Sequence, residues 1–351
     1  MTDLLASAAT PASAGVVERC PKRMVFGPCG GVRGDGSCEL DDALPCPWLD
    51  PDDPVDVRPW DGPTPEPVAP APGSLLARAA TTPVVLTDLS VAPYDIDGLR
   101  RIAGMLAPVS DALLVGEHHN RPDFPPMIMA TEIQQAGTRP WITLTCRDRN
   151  RVVLEQEVAG LAALGVEGVL AVTGDGRGRD VRPGVTQVFD LDATRLAHLA
   201  ATAGLVATAA VAPAAPGPRA RALREKQRAG ARLAVVNHVA SAGALDAFLA
   251  EARGVGVDLP VVAGVAVYSD ERSARVLQAF PGLALDDAAV DAVLGAPDPR
   301  EAGIEAAVAE ARALLAVPGV VGVNLSGLAS GGGWLAGAEV KAEVARRLRE
   351  G

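Results

Sequence analysis

Four of the five cysteines, Cys20, Cys29, Cys38 and Cys46, fall in one Gly- and Pro-rich stretch, separated by eight, eight and seven residues. Thiolates are soft ligands for zinc and for iron–sulfur clusters. Backbone of this composition bends sharply and leaves N–H groups free to hydrogen-bond sulfur. The grouping therefore points to four thiolates on one metal centre. Two disulfides, or four unrelated thiols, are the alternatives. Disulfides suit a secreted chain, and the first fifteen residues lack the basic start and long apolar stretch of a secretion signal. Common zinc sites use close CxxC pairs, which are absent, and even spacing in loops suits a [4Fe-4S] cubane equally, so zinc and cluster both stay open.

A second set of chemically competent residues stands at the ends of short apolar runs. The runs end in Thr87-Asp88-Leu89-Ser90, Gly116-Glu117-His118-His119-Asn120, Thr145-Cys146-Arg147, Thr173-Gly174-Asp175-Gly176 and Asn237-His238. A carboxyl held in an apolar mouth has its pKa raised and can remain a proton donor near neutral pH. Asp88 and Asp175 are two carboxylates at these ends, with a strand-end cap and an Asx turn as their plainer readings.

Those ends need a scaffold that gathers them. The expected strands are Pro83–Leu89, Asp111–Gly116, Pro140–Thr145, Glu167–Thr173, Leu205–Val211, Arg232–Asn237, Leu259–Ala266 and Val320–Leu325, most followed by a helix-like segment. Near-continuous apolar strands alternating with helices predict a parallel sheet buried on both faces, and eight such units predict a (β/α)8 TIM-like barrel. A doubly wound open sheet is the runner-up, disfavoured because no G-x-G-x-x-G follows the first strand. In a barrel the chemistry belongs at the C-terminal strand ends, where the polar groups stand. The expected organisation is a disordered N-terminus (1–15), a cysteine-rich metal module (16–49), a Pro-rich linker (50–73) and the barrel (74–351). The Gly331–Gly333 run after the last strand is either an anion site or a turn.

Composition narrows the partners. Lys+Arg is 32 against Asp+Glu 43, a net charge of −11, with no basic stripe for nucleic acid. No apolar run is long enough to span a membrane. A cytoplasmic protein is expected.

The stretch Cys-Pro-Lys-x4-Gly-Pro-Cys-Gly-Gly-Val-Arg-x-Asp-Gly-x-Cys-Glu, about 30 residues from Cys20, resembles a small cysteine module that accompanies methylenetetrahydrofolate reductases and their partner subunits. The resemblance implies a metal there, zinc or iron–sulfur. Independently, Thr143-Leu-Thr-Cys-Arg-Asp-Arg-Asn-Arg151, Gly168-Val-Leu-Ala-Val-Thr-Gly-Asp-Gly176, Val188-Phe-Asp-Leu-Asp192 and Lys226-Gln-Arg-Ala-Gly-Ala231 resemble the barrel of that reductase family. The likeness spans about residues 80–330 and is strongest over 140–192. It implies reduction of 5,10-methylenetetrahydrofolate to 5-methyltetrahydrofolate, usually with FAD or FMN at the strand ends, or with NAD(P)H directly.

Carried over residue by residue, Asp88 matches the family's acid, a Glu, one methylene shorter. Asp175 and Gly174 match the Gly-Asp motif that contacts flavin and folate. Arg147, after Thr145, matches an arginine near the cofactor or its phosphates, and Lys226 a lysine that meets flavin phosphate. Asn237 stands where a Gln reads the pterin, and His118 lines the mouth. Three departures bear on flavin. Gly116-Glu-His-His-Asn120 replaces the Tyr- and Gly-rich cover of strand two, Ala212-Pro-Ala-Ala-Pro-Gly-Pro218 replaces a Pro-Glu-x-His-Pro motif, and aromatic residues are only 3% of the chain, too few to stack freely on an isoalloxazine. Besides the reductase, two readings stand: a non-catalytic folate-binding or electron-transfer subunit docking on a redox partner, and a corrinoid or folate methyltransferase barrel. The Thr-Leu-Thr-Cys and Gly-Asp pattern argues against the last.

Overall fold

All eight apolar runs are strands in the computed structural model, which describes residues 11–67, 69–117, 121–177, 184–279, 283, 285–327 and 330–350. Helix α1 (Pro11–Arg19) leads into a short hairpin, β1 (Ser37–Cys38) and β2 (Asp41–Pro45), and then α2 (Leu75–Ala79). The repeating units follow: β3 (Val84–Leu89) and α3 (Ile96–Leu106), β4 (Ala112–Val115) and α4 (Pro126–Gln135), β5 (Arg139–Thr145) and α5 (Arg151–Ala163), β6 (Gly168–Val172) and α6 (Ala193–Thr202). The second half runs β7 (Val206–Val211) and α7 (Arg219–Arg228), β8 (Leu233–Val236) and α8 (Ala242–Gly254), then β9 (Val261–Ala266) with α9 (Glu271–Gln278), α10 (Asp287–Leu294) and α11 (Pro299–Leu315). Strand β10 (Val320–Ser326) and α12 (Trp334–Glu350) finish the chain. Strands β3 to β10 pair in parallel with their neighbours, and β10 returns to β3, so the sheet is a closed barrel and not an open doubly wound sheet.

The strands are apolar on both faces because one face lines the interior while the other is covered by helices. Val84, Leu86, Leu114, Leu170, Leu233 and Val235 fill the interior, and Leu75 and Leu76 of α2 pack onto them. Trp141 lies across this core, fully buried, its indole N–H donating to Thr208 Oγ1 at 3.0 Å. Gly168 makes room for the ring, since a Cβ there would come within 2.2 Å of the indole. Side-chain caps start several outer helices: Asn150 accepts from Val153 at α5, and Asp192 from Thr194 and Arg195 at α6.

Closure of β10 onto β3 is reinforced from α12. Lys341, 2% exposed, donates from Nζ to the carbonyl oxygens of Asp88 (2.5 Å) and Gly327 (2.9 Å). Burial lowers its pKa from 10.5 to about 8, against the opposing pull of Asp88. Between those two values the unfolded chain binds a proton that the folded chain has lost, so this residue's contribution to stability rises with pH. The stability difference between wild type and Lys341→Met is therefore expected to shift in favour of wild type by roughly 2–3 kcal/mol from pH 8 to 10.5. Urea titrations across that range check it, and a pH-independent difference contradicts it.

The segment before the barrel is held along its flank. Trp60 packs between Phe26 and His198, with ring centroids 5.4 and 5.1 Å away, and its backbone N–H donates to Glu225 Oε2 at 2.7 Å. Among the described residues no helix is long and apolar enough to cross a membrane.

Candidate functional site

Asp88 lies two residues beyond inward-facing Leu86, so strand alternation turns it toward the barrel mouth. There the Asn324 Nδ2 donates to Asp88 Oδ1 at 2.8 Å and to Ser326 Oγ at 2.9 Å, and the Ser326 hydroxyl also bonds the Asp88 carboxyl. Burial pushes the Asp88 carboxyl above the usual carboxylate range, although the Lys341 cation and these hydrogen bonds pull it down. Asn324 is 3% exposed and its buried Oδ1 has no partner among the described residues. The arrangement is a proton-holding carboxyl beside an amide oxygen that still lacks a donor.

On the neighbouring strand, Glu117 after β4 organises the end of β5. It accepts from the Thr145 N–H (2.9 Å), the Thr145 hydroxyl (2.8 Å) and Arg149 Nη1 (2.7 Å). Arg147, 3% exposed, donates from Nε to Asp148 Oδ2 (2.9 Å) and from Nη1 to the Asp175 carbonyl (3.2 Å), and Arg177 clasps Asp148 from the other side. Burial alone would raise the Asp148 pKa, but the hydrogen bonds from Arg177 and Arg147 hold it low. A cleft of about 340 Å³ opens here, lined among others by Glu117, Arg121, Phe124, Arg147, Arg149 and Arg177. It includes Arg147 but not Asp88, Asp175, Lys226 or Asn237. Removing the Glu117 carboxylate leaves three donors at this edge without their acceptor. Glu117→Ala is expected to cost about 1–3 kcal/mol, and Glu117→Gln less, read by urea unfolding.

The β6 turn bears the Gly-Asp motif. Gly174 takes a left-handed φ of +94°. A Cβ there would also press on the Arg147 and Thr145 Cβ atoms at 3.0 and 3.1 Å. The cysteine module sits directly on this turn: Lys22 Nζ donates to the Gly174 carbonyl at 2.6 Å, and Glu39 Oε2 accepts from the Gly176 N–H at 3.1 Å. Phe189, strained at φ +46°, places its ring 5.7 Å from Lys22 Nζ. Asp192, the cap of α6, also accepts from the Val25 N–H at 3.3 Å.

Two expected cofactor contacts are oriented differently from the family pattern. Lys226 Nζ is turned into the barrel wall and donates to the Ala210 carbonyl at 2.6 Å. Burial, and secondarily Arg219, lower its pKa to about 8. Arg147 is buried in its own ion pair. Neither of these two side chains presents its charge as an open phosphate clamp, so the two do not fit the flavin-phosphate contacts that the resemblance implies. Asn237, half-buried after β8, makes no side-chain hydrogen bond among the described residues, while its N–H donates to Val211 O at 2.8 Å. The Gly331 N–H donates to Asp270 Oδ2 at 2.8 Å, so a protein carboxylate already uses the expected anion position. His118 lies outside the described residues.

All five cysteines are free thiols. Cys20 and Cys46 share a small core with Trp48, and Cys29 packs against it. Sulfur at Cys20 accepts from the Lys22 N–H, Cys29 from that of Gly31 and Cys46 from that of Trp48, each two residues on. Burial outweighs these contacts and pushes all three thiols above the ordinary cysteine value, although each N–H by itself favours the thiolate. Among the described residues no three Cys, His, Asp or Glu side chains stand set around a common point for an ion, so the expected four-thiolate geometry of Cys20, Cys29, Cys38 and Cys46 is not assembled. Burial pushes the Cys29 thiol up to about 12 despite the Lys22 cation. Cys146, fully buried beneath the β5 end, belongs to the barrel's outer core with Leu144 and Val169.

Glu117, Asn324, Lys341, Lys22 and Glu39 are the residues of this region that sequence reasoning left without a role. A polar Asn inside the run Val-Gly-Val-Asn324-Leu and a carboxylate directly after β4 were the available signals.

An uncharacterised protein from Clostridium thermocellum, described as binding two copies of 5-methyl-5,6,7,8-tetrahydrofolic acid, superposes with a TM-score of 0.59 at 11% identity, over 79% of this chain and 99% of that chain. Tryptophan synthase from M. tuberculosis follows at TM-score 0.42 and 16% identity, over 78% of this chain and 95% of that one. Oxaloacetate acetylhydrolase stands at 0.43 and 14%, over 72% and 79%. No curated protein matches in sequence. Residues 9–52 match the family model described as methylene-tetrahydrofolate reductase C terminal. Residues 116–330, more than half of the chain and all but the first two strands of the barrel, match the methylenetetrahydrofolate reductase model, and the chain belongs to that family.

Proposed function

We propose that this barrel reduces 5,10-methylenetetrahydrofolate to 5-methyltetrahydrofolate, with Asp88 as the acid. The observation that carries the reading is the inward Asp88 carboxyl, kept toward its protonated form by burial and oriented by Asn324 and Ser326. Asp88 gives its proton to N10 as the N10–methylene bond breaks toward N10, leaving an N5 iminium. Hydride then adds to the methylene carbon, forming the N5-methyl group. Because Lys226 and Arg147 do not fit the flavin-phosphate contacts that the resemblance implies, the hydride is assigned to a dihydronicotinamide, NADH or NADPH, bound as co-substrate and oxidised in the step. The Asp175 charge at the β6 turn opposes the cation of the iminium. Thr145 and Asn237 face the pterin, and Arg121, which lines the cleft, is the counter-charge for the folate's glutamate carboxylates. Cys20, Cys29, Cys38 and Cys46 would hold zinc, which fixes a small fold, or a [4Fe-4S] cluster, which also carries electrons.

The orientation of Lys226 and Arg147 also favours a second reading, a folate-holding subunit that leaves hydride delivery to a redox partner. Purified chain given 5,10-methylenetetrahydrofolate with NADH or NADPH should form one 5-methyltetrahydrofolate per nicotinamide oxidised. Binding of 5-methyltetrahydrofolate without turnover would support the subunit instead. Neither binding nor turnover would remove both readings.

A further inference from the structure

A buried lysine from the outer helix α12 meets Asp88 at the seam between β3 and β10. The pairing of these strands runs from Gly322–Val84 to Leu325–Thr87 and stops one residue short of Asp88. Lys341 takes over there, its Nζ donating to the carbonyl oxygens of Asp88 at 2.5 Å and Gly327 at 2.9 Å. The Ser90 hydroxyl donates to the same Gly327 oxygen at 3.1 Å. A neutral donor could bond these carbonyls without the desolvation cost of a buried cation. Closing the seam therefore does not account for the charge.

That charge has one counterpart. Among the described residues, the Asp88 carboxyl is the single anionic group acting on Lys341, and Lys341 the single cation acting on Asp88. Asn324 and Ser326 are neutral donors that orient the carboxyl without adding charge. The other charged side chains of the packed elements are exposed or engaged elsewhere. Asp97, Arg100 and Arg101 of α3 and Glu339 of α12 are exposed, Glu343 binds Arg346 and Arg347, and Glu117 beyond β4 binds Arg149.

We propose that Lys341 is a positioning residue for the acid, its ammonium set at the β3–β10 seam to govern how tightly the Asp88 carboxyl holds its proton. Burial alone would leave that carboxyl a weaker acid and slow its proton transfer to N10. The cation restores part of the lost strength from behind the barrel wall. The influence is reciprocal, since the Asp88 carboxylate favours the charged form of Lys341 by the same free energy. A helix on the outside of the barrel thus adjusts a group on the inside of its mouth. The link to turnover rests on the reading of Asp88 as the acid, whereas the electrostatic link between the two groups does not.

NMR titration of the full chain without folate tests the electrostatic link by itself. The Asp88 carboxyl, identified as the carbon resonance lost in Asp88→Asn, should titrate about 1–3 pH units higher in Lys341→Gln than in wild type. Gln keeps two N–H donors for the Asp88 and Gly327 carbonyls and removes the charge. By reciprocity the Lys341 ammonium, followed at its Cε, should titrate lower in Asp88→Asn by a comparable amount. If Lys341→Gln fails to fold, Lys341→Met is read in its place with the same expectation. In single turnover, Lys341→Gln should move the alkaline limb of 5-methyltetrahydrofolate formation upward and lower its plateau roughly 3- to 30-fold, with affinity for 5-methyltetrahydrofolate little changed. An Asp88 titration left in place by removal of the lysine charge overturns the proposal. A shifted titration in a chain without turnover supports the coupling and overturns only the reading of Asp88 as the acid.

Discussion

Asp88→Asn should lower the formation of 5-methyltetrahydrofolate by about 10²- to 10⁴-fold, the usual contribution of a positioned general acid. The substitution keeps the size of the side chain and removes the proton donor, so affinity for 5-methyltetrahydrofolate should change only a few-fold. The pH profile gives the sharper signature. Because burial raises the Asp88 pKa, the acid form persists above the usual carboxylate range, and the rate should fall as pH rises through that elevated value. In Asp88→Asn this limb should vanish. Asp88→Glu, which restores the longer acid of the family pattern, should keep turnover within about tenfold of wild type, since the shift in position is one methylene. Single-turnover measurement with saturating nicotinamide distinguishes these outcomes. Undiminished turnover in Asp88→Asn would move the acid elsewhere.

The largest expected loss of stability lies in the barrel floor. Trp141→Ala removes a fully buried indole and its hydrogen bond to Thr208 Oγ1, itself fully buried. A cost of about 3–5 kcal/mol is expected for such a truncation, read from urea or thermal unfolding. The partner of this effect is Gly168, where a Cβ would meet the indole at 2.2 Å. Gly168→Ala alone should cost about 1–3 kcal/mol by overpacking. Added to Trp141→Ala it should cost little, because the clash has gone with the ring. A double-mutant cycle should therefore show coupling well above the few tenths of a kcal/mol typical of independent sites. Strict additivity would mean that the ring and the glycine do not share space.

The strands were readable in the sequence because both of their faces are buried, which leaves runs such as Val169-Leu-Ala-Val172 apolar throughout. Their ends shift by a residue or two, as where Asp111–Gly116 narrows to Ala112–Val115. The inward turn of Asp88 followed from the barrel alone. Its partners did not, because Asn324 and Lys341 reach it across 236 and 253 residues and each is a single polar side chain. Lys226 resembled a surface lysine or a phosphate contact, since α7 is rich in basic residues. It turns instead to the Ala210 carbonyl of β7, a backbone contact that no local pattern encodes. The Cys-Pro-Lys22 motif suggested a metal module, but the seat of that module on Gly174 and Gly176 depends on two glycines whose missing side chains are filled or bonded from far away in sequence.

The seat of the module sets an order of assembly. Lys22 is synthesised 152 residues before the Gly174 carbonyl that it bonds, an interval of roughly 8–30 s at ribosomal rates of about 5–20 residues per second. Throughout that time the four thiols are exposed without the wall that later covers them. The barrel itself cannot close until β10 and Lys341, near the end of the chain, have been made. The module is thus made well before the turn that seats it, and its cysteines, free thiols in the folded chain, have to stay unpaired over that interval.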